Sequence, residues 1–110
     1  GVFRRDGADI HSDVAITMPQ AALGAVIEVA TVDGPVKMRV PEGTPTGTVF
    51  RLRGRGVPRA ASKNAPRGDH LAKVMVTTPQ QLSARQRELF EELARLTAAG
   101  LQSYRAQGYV

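Results

Sequence analysis

Ser12 directly follows His11, and a hydroxyl beside an imidazole is the pairing from which a nucleophile and its general base are built. The surrounding residues argue against that use. Val14, Ile16 and Met18 alternate with Asp13, Ala15 and Thr17, the period of a strand, and neighbours on a strand point to opposite faces. The aspartates Asp6, Asp9, Asp13, Asp33 and Asp69 fall in turns or at strand edges, where solvation or turn capping accounts for them, and only long-range folding could pair two of them as acid and base. The stretch RGRGVP, residues 53–58, has the glycines of a phosphate cradle but neither the lysine nor the helix that should follow. With no cysteine, and with His11 and His70 far apart, no disulfide framework or cysteine zinc site can form, and no metal is expected. The chain reads as a protein without enzyme activity and without a cofactor.

The remaining charge chemistry is basic. The formal net charge is +5, and Arg51, Arg53, Arg55, Arg59, Lys63 and Arg67 share one stretch with no acidic residue among them. Such a run is the mark either of nucleic-acid binding or of a solvated strand edge and loop. Phe50 is its only aromatic neighbour, so the interleaved stacking platform of single-strand binders is missing. The solvated reading is preferred. Nucleic-acid binding through Arg51, Arg53 and Arg55 stands as the rival, and it predicts an affinity that falls steeply with salt.

A chain of 110 residues is one domain's worth, enough for a modest core. No apolar run approaches membrane-spanning length, and the start GVFRRDG lacks the pattern of a signal peptide, so no membrane partner and a soluble, cytoplasmic location are expected. The chain opens on a strand-like VF without an initiator Met, as a piece of a longer protein would.

Most of the chain reads as strands. Residues 12–18 form one, and Pro19 then opens a short helical turn that Gly24 is expected to close in the left-handed conformation. Ile27 and Val29 lead into the hairpin turn VDGP, with Gly34 at positive φ, and Val36, Met38 and Val40 return beside them. Gly43 and Gly47 bracket a further turn, and Phe50 and Leu52 alternate with Arg51 and Arg53 as in a half-buried strand. Residues 53–69 carry no hydrophobic period and read as a long loop, partly disordered over 60–67. Residues 71–77 are apolar enough for a central strand covered on both faces. The period then changes. Ser83 and Gln86 have capping-box spacing, and Leu89, Phe90, Leu93 and Leu96 lie on one helical stripe, suited equally to packing on the sheet or on a partner chain. Gly100 is expected to end this helix, and Leu101, Tyr104, Tyr109 and Val110 beyond it belong to no motif. The fold class is mostly β, a two-sheet sandwich of about six strands with a short internal helix and a C-terminal helix.

Residues 3–10 (FRRDGADI), 21–38 (AALGAVIEVATVDGPVKM) and 39–58 (RVPEGTPTGTVFRLRGRGVP) resemble the second C-terminal β domain of the bacterial DnaJ co-chaperone family, and LSARQRELFEEL, residues 82–93, resembles that family's terminal helix. The resemblance covers residues 1–96. It implies a client-binding β domain over residues 1–79, a dimerisation helix over 80–97 with Leu89, Phe90, Leu93 and Leu96 as apolar anchors, and a tail of no assigned role over 98–110. It also implies a groove for unfolded polypeptide between the strand before the short helix and the strand after it, carried here by Val14, Ile16, Ile27 and Val29 with Leu71 as a floor residue; for any one of these side chains the sandwich core is the preferred reading, and a pure dimerisation module that binds no client is the further alternative. Stimulation of a DnaK-type ATPase and zinc binding need the family's His-Pro-Asp signature and cysteine pairs, which this chain lacks, so both belong to other segments. The implied role is in protein folding and the stress response.

Overall fold

The computed structural model describes residues 3–59 and 65–106, of which 98–106 are described by backbone alone. The chain divides into two compact units, Gly1–Thr78 and Pro79–Val110.

The first unit contains β1 (Arg4–Asp6), β2 (Asp9–Thr17), α1 (Met18–Leu23), β3 (Ala25–Thr31), β4 (Gly34–Val40), β5 (Val49–Leu52) and β6 (His70–Thr77). A four-stranded sheet runs β1-β2-β6-β5, and β3 and β4 form a separate two-stranded sheet. The fold class expected from the sequence is therefore the one observed. β2 and β6 are parallel, with Ile10 opposite His70, Ser12 opposite Ala72, Val14 opposite Val74 and Ile16 opposite Val76. Those eight side chains share the inner face of the sheet. Ile16, Ala72 and Val74 meet Val29 from β3, Met38 and Val40 from β4, and Ala21 from α1 in one buried core. Each fully buried valine, Val29, Val40 or Val74, contributes about 1.5–3 kcal/mol over an exposed one.

Some expectations need correcting. β6 is central in the hydrogen-bonded sheet, but only one of its faces is packed: Ala72 and Val74 are buried while Lys73 and Met75 are exposed. Its run of apolar residues hid an alternation, because Met75 falls in the outward phase set by Lys73. β2 begins at Asp9 rather than residue 12, and Met18 already belongs to α1. Thr17 caps that helix, its hydroxyl accepting from the Gln20 amide while the Gln20 side chain accepts from the Thr17 amide. Gly24 does take positive φ (85°), but its ψ of 153° is extended, not left-handed helical, because the chain passes straight into β3. Gly34, Gly43 and Gly47 adopt the positive φ that their turns require.

The segment from 53 to 69 is more ordered than its composition suggests. The Gly56 amide donates to the Gly68 carbonyl, the Gly68 amide to the Val57 carbonyl, the Val57 amide to the Ala8 carbonyl, and the Arg59 amide to the Pro66 carbonyl at 2.8 Å. Arg67, expected within a disordered stretch, donates twice to the Gly56 carbonyl and pairs with Asp33 at 2.8 Å. Residues 60–64, the rest of that expectation, lie outside the described residues. Three backbones converge here, and a Cβ on Gly68 or Gly56 would overlap the Ala8 carbonyl group.

In the second unit, α2 (Ala84–Ala106) begins at the capping box foreseen from sequence: the Gln86 amide donates to the Ser83 hydroxyl, and the Ser83 amide donates to the Gln86 side chain. It does not stop at Gly100 but runs 23 residues, since one glycine inside a helix costs only about 1 kcal/mol. Leu89, Leu93 and Leu96 are exposed, Leu96 at 68%, and Phe90 is half-buried. The side chains of Leu101, Tyr104, Tyr109 and Val110 lie outside the description. Among the described residues no helix is long and apolar enough to cross a membrane.

Gly68→Ala should lower unfolding stability by about 3 kcal/mol, against about 1 kcal/mol for Gly7→Ala, whose positive φ sits in open space. Urea denaturation of the two variants beside the parent measures the difference.

Candidate functional site

The backbone edges of β2 and β3 carry the unspent hydrogen-bonding capacity of the first unit. The Ile10 amide donates to Asp69 on the β6 side of β2, so by alternation Ser12, Val14 and Ile16 also direct their backbone groups toward β6. His11, Asp13, Ala15 and Thr17 direct theirs the other way. β1 covers that edge only from Asp9 to His11, and the Thr17 amide is taken by Gln20. The N–H and C=O groups of Asp13 and Ala15 are left without a strand partner among the described residues. On β3 the same logic applies: the two-residue turn makes Thr31 and Gly34 a hydrogen-bonded pair, so Val26, Glu28 and Ala30 present their backbone groups away from β4.

A shallow groove of about 210 Å³ runs between these two edges, lined by Phe3, Ser12, Asp13, Val14, Ala15, Glu28, Val29 and Ala30. It has apolar contacts from Phe3, Val14 and Val29, unpaired backbone on both sides, and the carboxylates of Asp13 and Glu28 at its rim. Asp13 is held by Arg4 at 3.5 Å. A second depression, of about 270 Å³, lies between α1 and the strands β3 and β4, where Leu23 and Val26 are exposed.

Of the five groove residues expected from sequence, Val14 and Val29 line the groove. Ile16 is buried in the core and Ile27 is half-buried against it, and neither lines the groove. Leu71 is carried on the opposite face of the sheet, opposite His11 and Arg51. Phe3, Ala15, Glu28 and Ala30 were not singled out by periodicity. The signal that would have found them is the short β1 hairpin about Gly7, which is too brief to cover the whole of β2.

Ser12 does meet an imidazole, but it is that of His70: Ser12 Oγ and His70 Nε2 are 2.7 Å apart. The Phe3 ring packs edge-on against the same imidazole at 5.4 Å. His70 is fully buried and its Nδ1 has no hydrogen-bond partner among the described residues. Burial, and secondarily the nearby His11, hold its pKa below the ordinary 6.5. No carboxylate orients the ring, and both residues are closed to solvent, so this is not a nucleophile and base at work on a substrate.

The basic stretch is partly neutralised. Arg51 pairs with Asp69 at 2.6 Å and Arg67 with Asp33, while Arg53, Arg55 and Arg59 make no ion pair among the described residues. Lys63 lies outside them. Asp69 also accepts from the Gly54 amide, and that bond first, the Arg51 bond second, hold its carboxyl below the usual 3.8.

The first unit is mostly β with a shallow groove beside a strand edge, an amphipathic helix follows it, and similarity to known proteins gives the chain a family. Residues 1–79 match the family model of the DnaJ C terminal domain, and the chain belongs to that family. Among curated relatives it is similar to Chaperone protein DnaJ of Brevibacillus choshinensis, 54% identical over 95 residues that make up 86% of this chain and 25% of the relative. It is likewise similar to Chaperone protein DnaJ of Clostridioides difficile (strain 630), 51% identical over 94 residues (86% of this chain, 24% of the relative), and of Desulfitobacterium hafniense (strain Y51), 48% identical over 96 residues (87% and 25%). The chain thus spans about a quarter of the length of these relatives. The C-terminal domain of this family is a non-enzymatic chaperone module, in agreement with the absence of catalysis expected from sequence.

Because the folded-state pKa of Asp69 is depressed, its contribution to stability is present above about pH 3.8 and is lost as pH falls through the lower, folded value. Asp69→Asn should therefore be less stable than the parent at neutral pH and should lose less stability on acidification. Urea midpoints taken at steps from about pH 6 to about pH 2 test this.

Proposed function

We propose that this chain is the client-holding and dimerising part of a DnaJ-type co-chaperone of the cytoplasm. An extended segment of unfolded polypeptide adds as a strand to the free edge of β2, with alternate side chains set against Phe3, Val14 and Val29 and the next ones turned toward Asp13, Ala15 and Ala30. The observation that carries this reading is that the backbone of Asp13 and Ala15, beside an apolar groove, has no strand partner among the described residues. Main-chain bonds give affinity without requiring one sequence, and shallow apolar contacts give loose preference, which suits clients that share only a backbone and scattered apolar residues. Residues 1–79 hold the client, and residues 80–97, which contain the first turns of α2, join two copies through Leu89, Phe90, Leu93 and Leu96. Two grooves in one dimer engage one unfolded chain with an effective concentration that neither has alone. Coupling to a DnaK-type ATPase belongs to segments outside this chain. Pairing of Arg51 and Arg67 with carboxylates favours the client reading over nucleic acid.

Ala15→Pro removes an edge donor while sparing the bonds to β6, a substitution that edge strands tolerate. It should weaken binding of a labelled, apolar-rich extended peptide about tenfold in fluorescence anisotropy, with an unchanged far-UV spectrum. Binding by the parent should change little between low and high salt, whereas steep salt dependence would favour the basic-patch rival. Leu93→Asp should convert a dimer to a monomer in light scattering, and a parent that is itself monomeric would remove the dimer from this proposal.

A further inference from the structure

Two of the residues that line the groove, Phe3 and Ser12, also meet the buried imidazole of His70, one edge-on with its ring and one through a hydrogen bond. They stand between the ring and the groove. The ring is fully enclosed, one nitrogen is bonded to Ser12, and Nδ1 faces no partner among the described residues. Whichever nitrogen carries the proton in the neutral ring, one unpaired position is tolerable. The imidazolium is different, because it has two N–H donors and a charge, and an unpaired buried cation is far more costly than an unpaired neutral nitrogen.

No group packed around the ring among the described residues offsets that charge. On β2, His11 adds repulsion when charged, and Asp9 accepts from the Asp69 amide at 2.7 Å. Asp69, adjacent in the chain, is bonded to Gly54 and to Arg51 of β5. Asp13 and Arg4 are paired with each other, Arg5 donates to the Gly7 carbonyl, and Asp6 is exposed at the β1 turn. Arg53, just past β5, adds only positive charge. Ser12 Oγ can go on accepting from Nε2–H in the imidazolium, so what protonation lacks is a partner for the second N–H and the charge, which only water can supply; Phe3, packed edge-on against the ring and lining the groove, is the side chain on that side that can give way.

We propose that the Ser12–His70–Phe3 cluster makes the groove acid-sensitive: protonating His70 draws water to the ring, displaces Phe3 from it, breaks up the groove, and releases an extended client segment while the sandwich remains folded. This rests on the client reading of the same groove. Burial places the His70 pKa below 6.5, so release belongs on the acid side of that value, with the groove intact at neutral pH. Linkage is reciprocal, so a bound client pushes the His70 midpoint lower still.

The test uses the chain as it stands, with a fluorescein-labelled peptide of alternating valine and serine, and reads anisotropy, far-UV circular dichroism and the His70 ring protons by NMR from about pH 7.5 to about pH 5. Affinity should fall about tenfold or more across the His70 midpoint, and Phe3 resonances should move with that midpoint. Saturating peptide should lower the midpoint, by about one pH unit for each tenfold of affinity lost on protonation. His70→Phe should bind with no pH dependence over the same range. Affinity that is unchanged on the two sides of the midpoint, a loss that persists in His70→Phe, or a loss that coincides with global unfolding each overturns the proposal. If His70→Phe does not fold, the movement of the midpoint with peptide in the parent protein decides alone. Absence of binding at about pH 7.5 has a separate meaning, since it overturns the client groove itself.

Discussion

The first unit depends on the parallel pairing of β2 with β6. Parallel neighbours cannot be joined by a tight turn, so the chain between them must leave the sheet and return. That excursion is α1, the β3–β4 hairpin and β5, and it supplies the second sheet that covers the inner faces of Ile16, Ala72 and Val74. The in-register pairing also brings Ser12 within 2.7 Å of His70, although 58 residues separate them. It occupies one edge of β2, and on the other edge β1 pairs only with Asp9 to His11 among the described residues.

A free strand edge is ordinarily a hazard that proteins shorten, twist or cover. Here the edge is bounded. The β1 hairpin closes one end, the Thr17–Gln20 capping box closes the other, and the edge of β3 stands across a groove floored by core side chains. Among the described residues the free backbone is limited to Asp13 and Ala15 on β2, which is enough for a short extended segment and too little for open-ended sheet growth. The apolar stripe of α2 has the complementary property: a helix with capped start and exposed Leu89, Leu93 and Leu96 has surface to bury against a second chain.

Much of this was legible in the sequence because it depends on local chemistry. Gly34, Gly43 and Gly47 announced turns by the φ they permit, Ser83 and Gln86 announced the helix start, and the alternation in β2 and β4 gave the inner faces. What was not legible depends on pairing at long range. Nothing local in HLAKVMVT tells that one face is bare, and nothing near Ser12 points to His70 rather than His11. Val14 and Val29, apolar strand residues flanking the short helix, share the inner side with the groove, whereas Leu71, equally apolar, falls on the other phase of β6. Arg67 read as loop because its partners, Asp33 and the Gly56 carbonyl, are held by other elements.

If extended polypeptide binds by adding to the free edge of β2, the bond pattern must change on alternate residues of that strand. Amide hydrogen exchange measured by NMR with and without saturating apolar-rich peptide reads this at single residues, because neighbouring amides of one strand face opposite ways. Exchange at Asp13 and Ala15 should slow on binding, while Ser12 and Val14, already bonded toward β6, keep their protection. Peptide that binds yet leaves Asp13 and Ala15 exchanging as fast as before would contradict strand addition at this edge.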